Sequence, residues 1–257
     1  MVVHHSAIDG KRLADCVDAF RRRRPHVHCI TNAVAQHFTA NVLLAAGATP
    51  SMTINRSEIS DFVLTADALL INLGTMDDER SKASAIAVQV ASAIGKPWAM
   101  DPVFAHASTS RLQIAKHLLR KGPDLVRCNA TEAAALFAES SFENNGQEHP
   151  EDLKGCLAIT GEVDHLSTPE TNVAVHNGSP LMDRVTAMGC ALTALAVGFL
   201  PLDEEPIVCV AAAHCLFGLA GETAVVRSSG PGSFASNFLD ALHTLSGEDI
   251  GAGAQLS

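Results

Sequence analysis

The strongest constraint on this chain is a series of short apolar runs, each ending in small or polar residues and each followed by a helix-length stretch. Residues 68–73 (ALLINL) are the clearest of them, a near-continuous apolar run closed by Gly74. A run of that kind suits a strand buried on both faces of a parallel sheet. The other strand-like segments are 27–31, 48–53, 98–101, 124–127 and 156–160, with 163–166 and 173–176 as an antiparallel edge pair. Between them fall predicted helices at 11–23, 33–46, 78–94, 109–121 and 131–139, and three more near 189–200, 205–227 and 234–246. In 33–46 the apolar spacing Val34, Phe38, Val42 marks one face, and Gly47 stands where a helix stop belongs. In 78–94 the expected face is Ala83, Ile86, Val90 and Ala93. Strands alternating with helices imply a parallel sheet covered on both sides. The polar segment 140–154 is the least ordered candidate, and no internal repeat or linker divides residues 1–257.

Composition narrows the function classes. Eighteen basic and 28 acidic residues give a net charge of −10, a poor match to nucleic acid. The only basic run, Arg21 to Arg24, falls at the end of a predicted helix, where the macrodipole favours it. No apolar run is expected to approach the roughly 20 residues that cross a bilayer, and the first eleven residues carry no leader-type stretch, so a cytoplasmic location is expected. Seven cysteines at irregular spacing argue against a disulfide framework or a zinc site. His28, His106 and His214 show no metal-ligand spacing.

In sheets of this kind ligands bind beyond the carboxyl ends of the strands. Those ends are Thr31-Asn32, Met52-Thr53, Gly74-Thr75, Asp101-Pro102, Arg127 to Glu132, Thr160-Gly161 and Thr186 to Cys190. The last of these opens an apolar helix, so its free N–H groups suit a transferring phosphoryl group. Cys190, in the first turn, is expected to have a lowered pKa and to act as a base toward a substrate hydroxyl; a buried cysteine opening a core helix is the other reading. Asn129 and Glu132, three apart, suit either a hydrated Mg²⁺ or a capping box. Arg127 is within reach of nucleotide phosphate. Neither a Walker A loop nor a G-x-G-x-x-G fingerprint is present.

The order of motifs resembles the hydroxyethylthiazole kinases from about residue 25 to 245. His28 to Asn32, Phe38 to Asn41, and Leu44 to Gly47 with Ala48 and Pro50 match the family's opening. Ile71 to Thr75, Asp101 to Val103, Arg127 with Asn129 to Glu132, Ile159 to Gly161 with Val163-Asp164, and Gly230 to Phe234 with Leu239 to Leu242 follow in order. The resemblance implies a single ribokinase-like domain, a three-layer α/β/α sandwich with a mostly parallel central sheet and no lid. It implies ATP- and Mg²⁺-dependent phosphorylation of 4-methyl-5-(2-hydroxyethyl)thiazole in thiamin biosynthesis by a homotrimer with sites at the subunit interfaces. By the same resemblance Met52, Ala187 and Asn32 lie at the thiazole, Arg127 and Thr160 at ATP, Asn129 and Glu132 in the Mg²⁺ network, and Cys190 is the base where related kinases carry Asp.

The departures are Ala187-Met188-Gly189-Cys190 for the usual Gly-Thr-Gly-Cys, Cys128 for a glycine, Phe104-Ala105-His106 for a glycine-rich turn, and the shortened stretch 140–154. A different ribokinase-like small-alcohol kinase and a non-catalytic thiazole or nucleotide binder are the competing readings.

Overall fold

A computed structural model of the chain describes residues 8–138 and 148–257. Six strands run parallel: β1 (His26–Ile30), β2 (Thr49–Ser51), β3 (Ala68–Asn72), β4 (Trp98–Asp101), β5 (Leu125–Asn129) and β6 (Cys156–Thr160). β7 (Asp164–Ser167) and β8 (Asn172–Val175) add an antiparallel edge, giving the order β2-β1-β3-β4-β5-β6-β7-β8. Every residue of β3 is buried, as its unbroken apolar run requires. Its side chains alternate between two cores: Ala68 and Leu70 enter one, Leu69 and Ile71 the other.

The first core lies under α1 (Gly10–Arg23), α2 (Gln36–Ala46), α7 (Met188–Phe199), α8 (Pro206–Val226), α9 (Pro231–Thr244) and α10 (Gly247–Gly253). The second lies under α3 (Ile59–Thr65), α4 (Asp78–Ala93), α5 (Thr109–Leu119) and α6 (Ala130–Leu136). The result is the expected three-layer sandwich. The helix starts are locally encoded: Asp9, Asp77 and Ser108 each accept the backbone N–H three residues on. Gly47 ends α2 in the left-handed conformation. The basic run closes α1, where Arg21 donates to the Leu242 carbonyl at 2.8 Å and Arg23 pairs with Asp67 at 3.0 Å.

Four expectations change. Helix α2 starts at Gln36, so Val34 lies before it and is exposed. The buried face of α4 is Ala83, Ser84, Ala87, Val88 and Ala91, with Ile86 and Val90 at its margin and Ala93 exposed. Small side chains bring that helix close to the sheet, and the larger ones are pushed aside. Helices α3 and α10, too short and polar to register as periodic, also form. Finally α8, at 21 residues, is long and apolar enough to cross a membrane, contrary to the expectation; it lies largely buried, packed on α1, α7, α9 and α10. Within the segment 140–154, positions 140–147 lie outside the described residues, as does the expected end of the 131–139 helix at Glu139.

Candidate active site

Parallel strands bring their carboxyl ends to one edge, and register aligns them. Asn72 sits beside Asp101, and Asn129 beside Thr160. β1 runs directly into Thr31-Asn32 on the same edge. There Asn32 Nδ2 donates to Asn72 Oδ1 at 2.9 Å and to the sulfur of Cys190 at 3.3 Å. Asn72 Nδ2 donates to Asp101 Oδ2 at 2.9 Å, and Thr193 Oγ1, one turn past Cys190 in α7, donates to the same oxygen at 3.0 Å. Asn32 Oδ1 takes the N–H groups of Val34 and Ala35, which fixes the amide's orientation. Four chain segments thus converge on one buried polar cluster. Cys190 and Asn32 were legible in the sequence as site residues; the linking roles of Asn72, Asp101 and Thr193 were not. The available signal was a polar residue ending an otherwise apolar strand, at Asn72 and again at Asp101.

The electrostatics of the cluster differ from the expectation. Asp101 is wholly buried, and burial raises its carboxyl to about 6, with the nearby Arg127 charge opposing the rise and Glu132 adding to it. Its Oδ1 has no partner among the described residues. Burial, followed by the charge of Asp101, pushes the Cys190 thiol up to about 12. The expected lowering at a helix start is therefore overturned: desolvation and the Asp101 charge outweigh the helix terminus and favour the thiol. The Asn72 and Asn32 amides pull the other way by hydrogen bonding to sulfur.

Beside this cluster lies a surface rich in hydrogen-bond donors. Arg127 donates to Thr160 Oγ1, and its Nε is buried without a partner among the described residues. The guanidinium lies against Gly189, where a Cβ would overlap it. Arg127 and the free N–H groups at the start of α7 are therefore neighbours, a convergence of positive charge suited to phosphate.

Ala187, the N-cap of α7, holds φ 70°, the left-handed conformation. Thr75 (φ 42°) and Phe104 (φ 53°) share that region, so three of the four non-glycine residues with positive φ follow strand ends or open α7 at this edge. Strain concentrated at one edge points to function there. Replacing Ala187 with glycine relieves a left-handed cost of about 1 kcal/mol, so Ala187→Gly is expected to raise the melting temperature by roughly 2–4 °C. Thermal denaturation followed by circular dichroism checks this, and a lower melting temperature would refute it.

Asn129 and Glu132 form the capping box of α6: Asn129 Oδ1 accepts Glu132 N–H at 2.8 Å, and Glu132 Oε2 accepts Asn129 N–H at 2.9 Å. Glu132 Oε1 also accepts Phe104 N–H at 2.7 Å. These bonds leave each carboxylate oxygen a second lone pair. With the orphaned Oδ1 of Asp101 they fit a hydrated Mg²⁺, which takes few protein ligands and keeps its waters. Among the described residues no three His, Cys, Asp or Glu side chains form a fuller cage.

Met52 follows β2 and, partly buried, packs against the first core. Its strand is pinned by a directed relay. His28 Nε2 donates to the Thr53 carbonyl at 3.3 Å, so Nδ1 accepts from Ser51 Oγ at 2.8 Å, and Ser51 in turn accepts from His26 Nε2 at 2.7 Å. Burial pushes His28 down to about 4, which keeps its ring neutral.

A mostly parallel sheet between two helical layers, with polar residues gathered at its carboxyl edge, is the architecture of the ribokinase-like class. A ribokinase-like superfamily protein from Enterococcus faecalis has this fold, with a TM-score of 0.68 over 91% of this chain and 95% of that one, at 14% identity. The particular family follows from closer relatives. The hydroxyethylthiazole kinase family profile matches residues 17–248. The hydroxyethylthiazole kinase of Cronobacter sakazakii is 42% identical over 248 residues, 91% of this chain and 93% of its own. The structure of the hydroxyethylthiazole kinase protein from Pyrococcus horikoshii superposes with a TM-score of 0.90 at 34% identity, covering 96% of this chain and 98% of that one. The chain belongs to the hydroxyethylthiazole kinase family.

Proposed function

We propose that this kinase transfers the γ-phosphoryl group of ATP to the hydroxyl of 4-methyl-5-(2-hydroxyethyl)thiazole, a step of thiamin biosynthesis. Family membership supports the reaction. The observation that carries it at the level of residues is the contact of Asn32 with Cys190, placed beside the Arg127–Thr160 pair at the start of α7. In this reading Met52, Ala187 and Asn32 hold the thiazole, and Arg127 and Thr160 hold the ATP phosphates. Asp101, Asn129 and Glu132 serve a hydrated Mg²⁺, which neutralises phosphate charge when bound.

Positioning and charge neutralisation supply most of the acceleration in phosphoryl transfer. Asn32 orients the sulfur of Cys190 toward the substrate hydroxyl, and Cys190 accepts its proton as the oxygen attacks the γ-phosphorus in line. A thiol held near 12 is a poor base alone; the Asn72 and Asn32 amides and the nearby Arg127 charge are the groups that favour its thiolate. Arg127 and the N–H groups of residues 187 to 190 receive the charge that develops on the transferring group. Residues 1–257 act as one domain in this reading, and the resemblance further implies a cytoplasmic homotrimer with shared interface sites. The net charge of −10 argues for a small molecule rather than a nucleic acid as partner.

The test is ADP release from Mg²⁺-ATP with and without hydroxyethylthiazole, for wild type and Cys190→Ala. Thiazole-dependent turnover that falls about 100-fold in the variant is expected, the usual scale of a general base. Equal turnover removes the role of Cys190. Thermal stabilisation by both ligands without any turnover would make the chain a non-catalytic binder.

A further inference from the structure

The turn that ends β6 is braced from two sides. On one side Arg127 donates to Thr160 Oγ1. On the other, Asp164 reaches back from the start of β7. Its Oδ1 accepts the N–H of Gly161 at 3.1 Å, and its Oδ2 lies 2.7 Å from Nδ1 of His214. His214 comes from the middle of α8 and is 1% exposed. Its Nε2 is buried with no partner among the described residues.

The protons in this arrangement can be placed. A carboxylate only accepts, so Nδ1 of His214 carries the hydrogen and donates. In the neutral ring Nε2 is then an acceptor. A polar ring in the middle of an apolar core helix costs desolvation unless it is bonded. The only side-chain hydrogen bond of His214 among the described residues goes to Asp164. The ring therefore serves the carboxylate, and the carboxylate serves the Gly161 peptide. Fifty residues separate the two partners in sequence, so α8 anchors a turn it does not adjoin.

We infer that Asp164 and His214 are positioning residues for the nucleotide: they set the Thr160–Gly161 turn against Arg127 so that Thr160 and Arg127 meet the phosphates. The inference rests on the reading that Thr160 and Arg127 contact ATP. Neither Asp164 nor His214 touches the reacting atoms; both act through the turn.

Two variants separate this role from a packing role. In His214→Asn the amide nitrogen occupies the place of Nδ1, since both are bonded to Cγ, and it can donate to Asp164. In His214→Leu the donor is gone. Losing one charge-assisted bond at the turn is expected to raise the KM for ATP about tenfold in His214→Leu. The KM for hydroxyethylthiazole and kcat at saturating ATP stay within about twofold, and His214→Asn brings the ATP KM back to within about twofold of wild type. Equal behaviour of the two variants, a parallel rise in both KM values, or a lower melting temperature with unchanged ATP KM overturns the inference. Thr160→Ala is run beside them. An unchanged ATP KM in Thr160→Ala removes the nucleotide reading of the turn itself; a raised one there with no change in His214→Leu removes only the brace. In the wild-type protein, ¹⁵N imidazole spectra are expected to place the His214 proton on Nδ1, and a proton on Nε2 instead would also overturn it.

Discussion

Asp101→Asn is expected to give a protein that is more stable than wild type above pH 6 and has almost no turnover. The carboxyl is wholly buried and titrates near 6, against an ordinary value of 3.8. Between those values the folded state holds more protons than the unfolded state. Stability therefore falls as pH rises from about 4 to 6, and above 6 the wild type bears the full cost of a buried charge, about 3 kcal/mol. Asparagine removes that cost but places an amide where Oδ1 now has no partner, which returns roughly 1–2 kcal/mol. A net gain of about 1–2 kcal/mol at pH 8, shrinking to zero or reversing near pH 4, is the expected difference. Taking the difference between variants matters because His28 works in the opposite sense. Its pKa is depressed to about 4, so its contribution to stability rises with pH through the same window. Turnover is expected to fall about a thousandfold, because the carboxylate that would serve the hydrated Mg²⁺ beside the phosphates is lost. Urea unfolding of both proteins from pH 4 to 8, with ADP release at pH 8, measures this. A stability difference that does not vary with pH would sink the raised carboxyl, and full turnover would remove Asp101 from the chemistry.

Gly189→Ala has the second largest expected effect. A methyl group at this position overlaps the Arg127 guanidinium, which lies at the end of a flexible side chain and so moves before the backbone does. The displaced guanidinium loses Thr160 and its seat at the start of α7. Alanine is the better helix former by up to about 1 kcal/mol, so the fold is expected to persist. Loss of about 100-fold or more in kcat/KM, concentrated in the KM for ATP, follows if Arg127 holds phosphate. Activity within threefold of wild type in a folded variant would show that Arg127 tolerates the shift and that its position carries little.

Several of these features could be read from the chain and several could not. The Asp101 position was visible as the end of an apolar strand, and Gly189 as part of a small-residue helix start. Their roles were not visible, because each depends on a side chain from a different segment. The capping box at Asn129 and Glu132 was an open alternative in the sequence and forms as such, while the same residues keep the lone pairs a hydrated metal needs. The lowered thiol at Cys190 failed because a helix terminus is a local feature, whereas burial and the charge of Asp101 on β4 are not.

The sequence by itself determined the alternation of strands and helices, the strand ends that carry polar residues, the helix stop at Gly47, and the family. These follow from patterns of two to four residues and from order along the chain, which need no knowledge of distant neighbours. Tertiary structure alone decided that Asp101 would be forced toward neutrality, that Cys190 would rest as a thiol, that Arg127 would lie on Gly189, that small residues of α4 would face the sheet, and that His214 would find Asp164. Each of these depends on burial or on charges brought within a few ångströms from remote segments. In a low-dielectric interior such through-space terms exceed anything a residue's own neighbours in sequence can supply.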